Sequence, residues 1–244
     1  GKSLRLIAEE IGVSQSTVRF HTKGIKIETK QKRQWKWSKK RYENIGSVQR
    51  GQLPNKIEHS PELAYFFGIY LGDGCYSGRK FGLSCGNAHP HLQKKWIDVV
   101  KGCLKVQPHV RPRKGYECSE IYIYEFNDEI GKIGKLLDIK NGNKTYTCKI
   151  PEWIFNDDNF CKNCILGLME SDGCVVHCFH KGGWYWQSKF TSVSSELRFG
   201  FMKMLNRLGI EYEEKKNNIV MNTKDTLRLL EITGLNKTLE YIYK

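Results

Sequence analysis

The chain has 244 residues, enough for one large domain or two modest ones with a sizeable core. Its 40 Lys and Arg residues against 26 Asp and Glu residues give a net charge of +14, which is typical of polyanion-binding proteins. The longest apolar run, 63–71, is too short to span a bilayer, and the N-terminus carries no secretory pattern, so we expect neither a membrane nor a secreted protein. The nine cysteines are odd in number and form no small disulfide scaffold, which favours an intracellular, reducing compartment.

Residues 1–24 are predicted to form a small helical module. Apolar residues at helical spacing predict a helix over 3–11, Gly12 ends it, and Ser14 is a favourable N-cap for a second helix. The stretch 7–18 resembles a helix-turn-helix, whose second helix enters the DNA major groove. That resemblance implies DNA contacts from the second helix, by Gln15, Ser16, Thr17 and Arg19. The alternative is a short helical pair with no DNA role.

Residues 25–57 form a strongly basic segment. It contains ten Lys or Arg residues and only two acids, with Trp35 and Trp37 interleaved among the cations. Few aliphatic residues are available to build a core here. The segment is therefore interpreted either as a solvated linker or as an arm that follows phosphates, with Lys36 and Arg41 among its contacts.

Two stretches 99 residues apart, 66–74 and 165–173, share one design: an apolar helix followed by Asp-Gly. Each carries small residues four positions apart, and these are Gly68 with Gly72 and Gly167 with Ser171. Residues four apart share a helix face, so each stripe predicts a surface on which the other helix packs closely. Ser60 and Pro61 suit the first two positions of the first helix. Gly74 and Gly173 are expected to end the two helices in the left-handed conformation.

A second pair of stretches supports an internal duplication. Residues 136–145 match 229–238 at an offset of 93, which predicts one copy over 58–148 and another over 149–244. Each motif helix is followed by a predicted strand, strand, helix, strand, strand and helix. The predicted strands surround 75–76, 81–85, 110–113 and 121–126 in the first copy and 174–180, 184–193, 211–215 and 218–221 in the second. The predicted fold class is α+β, with pseudo-symmetric tandem αββαββα repeats.

From residue 58 onward these motifs resemble the LAGLIDADG homing endonucleases in their single-chain, two-repeat form. The resemblance rests on both helix motifs, the lysine-bearing segments after each copy, and the stretch 150–154 before the second. It implies paired β-saddles that lie in the DNA major groove. It also implies a monomeric enzyme that cuts both strands of a long, asymmetric double-stranded site and leaves short 3′ overhangs.

Asp73 and Asp172 are the predicted metal ligands. Each is expected at the C-terminal end of a motif helix, where the helix dipole is negative, and two such carboxylates together would repel each other unless a cation lies between them. Hard oxygen ligands suit Mg²⁺, for which Mn²⁺ could substitute. The resemblance assigns metal binding to these two acids, and the neighbouring Gly72 and Ser171 complete the predicted set.

The resemblance also implies two catalytic lysines, Lys144 and Lys237, that reach the active site and help to polarise the attacking water or the phosphate. Glu170 occupies the position of the motif's earlier acid and is interpreted as structural. A zinc site could be read from Cys161, Cys164, Cys174, His177, Cys178 and His180. We expect no zinc, because the first two cysteines fall within the second motif helix, where small buried residues already have a packing role.

Affinity for DNA is expected from strand-borne cations, and specificity from polar side chains in the groove. The candidates are Arg79, Lys80, Arg111, Arg113, Lys114, Gln187 and Lys189. Two other functions use the same fold and remain open: an intron-splicing RNA maturase and a non-cleaving transcription regulator. The presence of both motif acids disfavours the regulator.

Overall fold

A computed structural model provides the structure of the chain. It describes residues 4–22, 53–77, 80–87, 89–112, 117–125, 129–140, 142, 144, 148–180 and 183–235. The chain divides into two compact units, residues 1–48 and 49–244, which are described separately. Within the described ranges, none of the helices has the length and apolar character needed to cross a membrane.

The described part of the first unit is a pair of short helices, α1 (Leu4–Ile11) and α2 (Gln15–His21). Gly12 adopts a positive φ of 70° between them, a conformation that costs glycine little. Ser14 caps α2, since its Oγ accepts a hydrogen bond from the backbone N–H of Thr17 at 3.1 Å. The helical pair is therefore as predicted, whereas its role in DNA binding stays a prediction.

The second unit repeats one order of elements twice. The first half contains α3 (Pro61–Asp73), β1 (Gly74–Ser77), β2 (Lys80–Gly86), α4 (Pro90–Leu104), β3 (His109–Pro112), β4 (Cys118–Glu125) and α5 (Glu129–Leu136). The second half contains α6 (Asp158–Ser171), β5 (Gly173–His180), β6 (Gly183–Thr191), α7 (Ser195–Arg207), β7 (Glu213–Lys215), β8 (Asn218–Met221) and α8 (Thr223–Thr233). A short 3₁₀ helix, Glu152–Asn156, precedes α6.

Two four-stranded antiparallel sheets have the same topology, β1-β2-β4-β3 and β5-β6-β8-β7. Alternation along the inner strands separates a buried face from an outer face. In β2, for example, Phe81, Leu83 and Cys85 are buried, whereas Lys80 and Ser84 between and beside them are half-buried. The predicted fold class, a mixed α+β architecture with two such sheets, is confirmed.

The two motif helices, α3 and α6, pack against each other at the centre of the core. Every residue of α3 from Leu63 to Leu71 is buried, so the helix is apolar around its whole circumference, as expected of a central helix. Ser60 caps α3 by accepting a hydrogen bond from the backbone N–H of Leu63 at 3.1 Å. Trp153, just before α6, stacks on His59, just before α3, with ring centroids 4.2 Å apart. This stack holds the starts of the two helices together.

The predicted left-handed conformation of Gly74 and Gly173 is wrong. Gly74 is extended, with φ −79° and ψ 154°, and both glycines begin strands directly after the helices. The reason for glycine is space. A β-carbon on Gly74 would lie 2.8 Å from the Cα of Tyr70, and one on Gly173 would lie 2.5 Å from the Cα of Met169. The chain therefore turns from helix to strand so tightly that no side chain fits.

Candidate functional site: two carboxylates at a helix crossing

The α3 and α6 backbones touch where the sequence places its small residues. A β-carbon on Gly68 would lie 2.9 Å from the Cα of Gly167 and the backbone N of Leu168. In the reverse direction, a β-carbon on Gly167 would lie 3.0 Å from the Cα of Gly68. Any side chain at either position would meet backbone atoms, which cannot move aside as a flexible side chain does. The two helices can approach this closely only with glycine at both positions.

One turn further on, the same contact brings the two motif acids to one place. Asp73 is the last residue of α3, and Asp172 is the C-cap of α6. A β-carbon on Gly72 would clash with the side chain of Ser171 and lie 3.4 Å from the Cγ of Asp172. The carboxylate of Asp172 therefore lies against the end of the helix that carries Asp73. Both acids stand at negative helix ends, which is electrostatically unfavourable without a nearby cation.

Lys144 is a cation that the structure places at this site. Its Nζ donates hydrogen bonds to the last carbonyls of α3, those of Tyr70 at 2.5 Å, Leu71 at 2.7 Å and Gly72 at 2.6 Å. Carbonyls in the last turn of a helix lack a full set of intrahelical N–H partners. A basic side chain there satisfies these carbonyls and opposes the helix dipole. Sequence reasoning anticipated that Lys144 reaches the site, but not that it binds the helix end.

Burial lowers the pKa of Lys144 to about 8. The Cys148 thiol and the carboxylates of Asp172 and Asp73 act in the opposite direction and favour the charged ammonium. The hydrogen bonds place the ammonium at the end of α3, where the charges of both carboxylates act on it. Its role in polarising water stays a prediction.

The donor set at the helix crossing fits a divalent cation with a preference for oxygen. Mg²⁺ is commonly held by one or two carboxylates, with water and substrate phosphate oxygens completing its coordination. Asp73 and Asp172 supply the two carboxylates. In the described part of the chain, no group of three His, Cys, Asp or Glu residues is arranged to hold a metal ion. The hydroxyl of Ser171 donates back to the carbonyl of Gly167 at 2.9 Å.

Glu170, next to the site on α6, is buried and joined to the first half of the unit. It accepts hydrogen bonds from the hydroxyl of Tyr65 on α3 and from the Nζ of Lys95 on α4, the latter at 2.7 Å. Lys95 also lies over the ring of Tyr65, 4.4 Å from its centroid. The sequence analysis interpreted Glu170 as structural but missed both partners. Tyr65 and Lys95 are distant from Glu170 in the chain, so no local pattern could indicate either contact.

We expect Glu170→Gln to destabilise the protein while leaving its active-site acids in place. The substitution removes the charge that Lys95 and Tyr65 surround, at a cost of about 1–3 kcal/mol in the free energy of unfolding. The exposed pair Lys203–Glu152, 3.4 Å apart, offers a matched control, and Glu152→Gln should have little effect. Urea denaturation of the full chain measures both. Equal midpoints for the two variants would show that the buried network contributes nothing.

The four predicted contact residues of α2 are all exposed. Two of them take part in the helix cap, because the hydroxyls of Ser16 and Thr17 lie 2.7 Å and 2.8 Å from the Oγ of Ser14. Gln15 and Arg19 extend from the same helix. The surface that the sequence assigns to the groove is thus open on this module.

On the first sheet, the candidates Lys80 and Arg111 share the outer face with an acid. Lys80 forms an ion pair with Glu120, with Nζ and Oε1 2.5 Å apart, and Arg111 stands opposite Glu120 in the register of β3 and β4. Glu120 was not anticipated from the sequence. The alternation of β4 around buried Ile121 places it on the outer face, but only strand pairing sets it beside Lys80 and Arg111.

On the second sheet, Gln187 and Lys189 lie on the outer face of β6. The alternating residues Ser188 and Phe190 are fully buried, whereas Lys189 is exposed and Gln187 half-buried. Both side chains therefore lie on the face of the sheet that points away from the core. Whether they contact DNA stays a prediction.

Several predicted site residues lie outside the described residues: Lys36, Arg41, Arg79, Arg113, Lys114 and Lys237. Of the cysteines considered for zinc, Cys161 and Cys164 are buried within α6. The thiol of Cys161 donates a hydrogen bond to the carbonyl of Ile154 at 3.3 Å. These two cysteines act as small core residues in the helix, which is the packing role the sequence suggested.

A family model matches the second half of the second unit. Residues 159–241 match a LAGLIDADG-like domain. This LAGLIDADG-like region begins with α6, contains Asp172 and continues through β5–β8 and α8. A comparison with proteins of curated function gives no match to the chain.

Three solved structures illustrate the similarity of fold. Full-length DUF199/WhiA from Thermatoga maritima is 17% identical with a TM-score of 0.49, over 77% of this chain and 61% of that one. The homing endonuclease I-DmoI, in mesophilic variants, is 14% identical with a TM-score of 0.43, over 71% and 94%. The LAGLIDADG meganuclease I-AabMI bound to uncleaved DNA is 14% identical with a TM-score of 0.44, over 74% and 85%. At these identities no activity is carried over to this chain.

Proposed function

We propose that this protein is a site-specific endonuclease that hydrolyses both strands of a long, asymmetric double-stranded DNA site with the help of Mg²⁺. The observation that carries the proposal is the placement of Asp73 and Asp172 at the adjoining ends of α3 and α6. An ordinary helix end does not need a carboxylate, and two of them side by side favour a bound cation. The LAGLIDADG-like match over residues 159–241 supports the same assignment for the second acid.

In this proposal, the chain supplies position and charge. Asp73 and Asp172 would hold the metal beside the scissile phosphates, and the glycine contact between α3 and α6 fixes the distance between them. Bound Mg²⁺ supplies a water of lowered pKa and stabilises the charge that develops on the phosphate. The buried Glu170 network keeps α6 in register with the first half of the unit.

The outer faces of the two sheets are the proposed DNA interface. Arg111 and Lys189 are exposed cations there and suit phosphate contacts, whereas Gln187 has the donor and acceptor groups that read base edges. The helix-turn-helix and the basic segment 25–57 would add contacts that depend strongly on salt. With these additions, a single chain covers a site longer than one sheet could read.

We expect cleavage to require Mg²⁺ and binding to survive without it. Selection from a randomised duplex library in Ca²⁺, whose larger size and looser geometry suit binding better than hydrolysis, yields the preferred site. A plasmid that carries this site should be linearised in Mg²⁺ or Mn²⁺ and only bound in Ca²⁺ or EDTA. Equal cutting in EDTA would contradict the metal-dependent mechanism.

The same assay separates the two alternatives. Tight, specific duplex binding with intact plasmid in Mg²⁺ would identify a non-cleaving regulator. Preference for a structured RNA over the selected duplex at equal salt would identify a maturase. Both alternatives place the acids in a structural role, so neither predicts loss of function when those acids are neutralised.

A further inference from the structure

All the hydrogen-bond donors of the Lys144 ammonium are used within the chain. An ammonium group has three N–H donors, and the Nζ of Lys144 lies within 2.5–2.7 Å of three carbonyl oxygens in the last turn of α3. In this arrangement no donor remains for a phosphate or an attacking water. Lys144 therefore acts on the end of α3, and any action on a substrate would require it to leave these carbonyls.

The surroundings of Lys144 are strongly negative. The C-termini of α3 and α6 each carry a partial negative charge, and Asp73 and Asp172 add two full ones. The ammonium interacts with both carboxylates and holds the carbonyl of Gly72, the residue directly before Asp73. It thus holds one potential carbonyl ligand of a metal ion and adds a positive charge near the two carboxylates.

We propose that Lys144 is the internal counter-cation of the metal-free site. It is a positioning residue that holds the end of α3 and Asp73 in place, and its positive charge opposes the binding of a divalent cation. This inference rests on the proposed function only in taking Asp73 and Asp172 as metal ligands. It differs from the role that the family resemblance implies for Lys144, which is to polarise water or phosphate. It assigns the lysine an effect that is present before any DNA binds.

The proposal predicts opposite effects of one substitution on stability and on metal binding. Lys144→Met leaves three carbonyls without this donor and removes one positive charge near the two carboxylates, so the metal-free protein should melt several degrees lower. The same variant should bind Mn²⁺ at least about fivefold more tightly, because the cation no longer meets a positive charge beside the carboxylates. Melting is followed by calorimetry, and Mn²⁺ binding by electron paramagnetic resonance, on the full chain without DNA.

Three further variants control the experiment. Lys140→Met removes an exposed lysine four residues away and should change neither quantity. Lys144→Arg keeps the charge but has a planar donor group that cannot reach three converging carbonyls, so it should melt lower and bind Mn²⁺ as the wild type does. The double variant Asp73→Asn with Asp172→Asn should lose the Mn²⁺ site, which assigns the measured binding to these acids.

The outcomes are decisive in both directions. An unchanged melting temperature for Lys144→Met, or Mn²⁺ binding that is unchanged or weaker, overturns the proposal. If Lys144→Met does not fold, Mn²⁺ binding by Lys144→Arg decides: an affinity equal to that of the wild type supports the proposal, and an altered one overturns it. Failure of the wild-type protein to cut DNA would remove the proposed endonuclease function but leave these metal and stability results standing.

Discussion

We expect Asp73→Asn and Asp172→Asn each to abolish double-strand cleavage without impairing DNA binding. Either substitution removes one of the two carboxylates at the α3–α6 crossing and keeps the size of the side chain. Even residues that only support a metal ligand contribute about 10–100-fold to activity, so loss of a ligand should reduce cutting by at least about a hundredfold. Binding should persist, because the proposed contacts lie on the sheets and the basic segment. Plasmid linearisation and gel-shift titration measure the two quantities.

The matched control for these variants is Asp98→Asn, which neutralises an exposed acid on α4 and should cut normally. Each active-site variant relieves repulsion at negative helix ends but also loses an attraction to the Lys144 ammonium, so the melting temperature of the metal-free protein should change little. Some nicking of a single strand would be compatible with unequal use of the two acids. Wild-type rates on both strands in both variants would show that Asp73 and Asp172 are not the metal ligands, and the functional assignment would fail.

The second large effect is expected at the helix crossing, where Gly68→Ala should destabilise the whole second unit. The added β-carbon would lie 2.9 Å from backbone atoms of Gly167 and Leu168, so the helices must move apart. Overpacking of this kind costs about 1–3 kcal/mol in the free energy of unfolding. Because the same shift separates Asp73 from Asp172, cleavage should fall more steeply than stability. Chemical denaturation and plasmid cutting, measured on one preparation, give both numbers.

Gly102→Ala is the control for Gly68→Ala. Gly102 lies in α4, and a β-carbon there would have no neighbour within 4 Å, so alanine should leave stability unchanged or raise it slightly. A Gly68→Ala protein as stable as Gly102→Ala would mean that α3 and α6 do not touch as closely as the structure has them. Retained cleavage in such a protein would also remove the geometric link between the glycines and the acids.

Local patterns in the sequence were sufficient for the elements and for the location of the acids. Alternation predicted strands such as β2 and β8, and an apolar run with small residues four apart predicted the central helices, because backbone periodicity places every second or every fourth residue on one face. Asp73 and Asp172 could be singled out because Asp-Gly follows both helices. Gln187 and Lys189 were named only as candidate DNA contacts, and the structure assigns them to the face opposite buried Ser188.

Tertiary structure alone decided what those residues touch. From the sequence, the glycine at position 74 was explained by a left-handed φ. In the structure, glycine is required there because the Tyr70 backbone leaves no room for a side chain. Glu120 pairs with Lys80 across 40 positions, and Lys144 binds carbonyls more than 70 positions away. Such partners are set by how helices and strands pack, and packing follows from the summed shape of many side chains, which no local pattern encodes. The sequence by itself therefore determined the two acids, the helices that carry them and the identity of a lysine near them, and only the packed structure showed that this lysine binds the carbonyls at the end of α3.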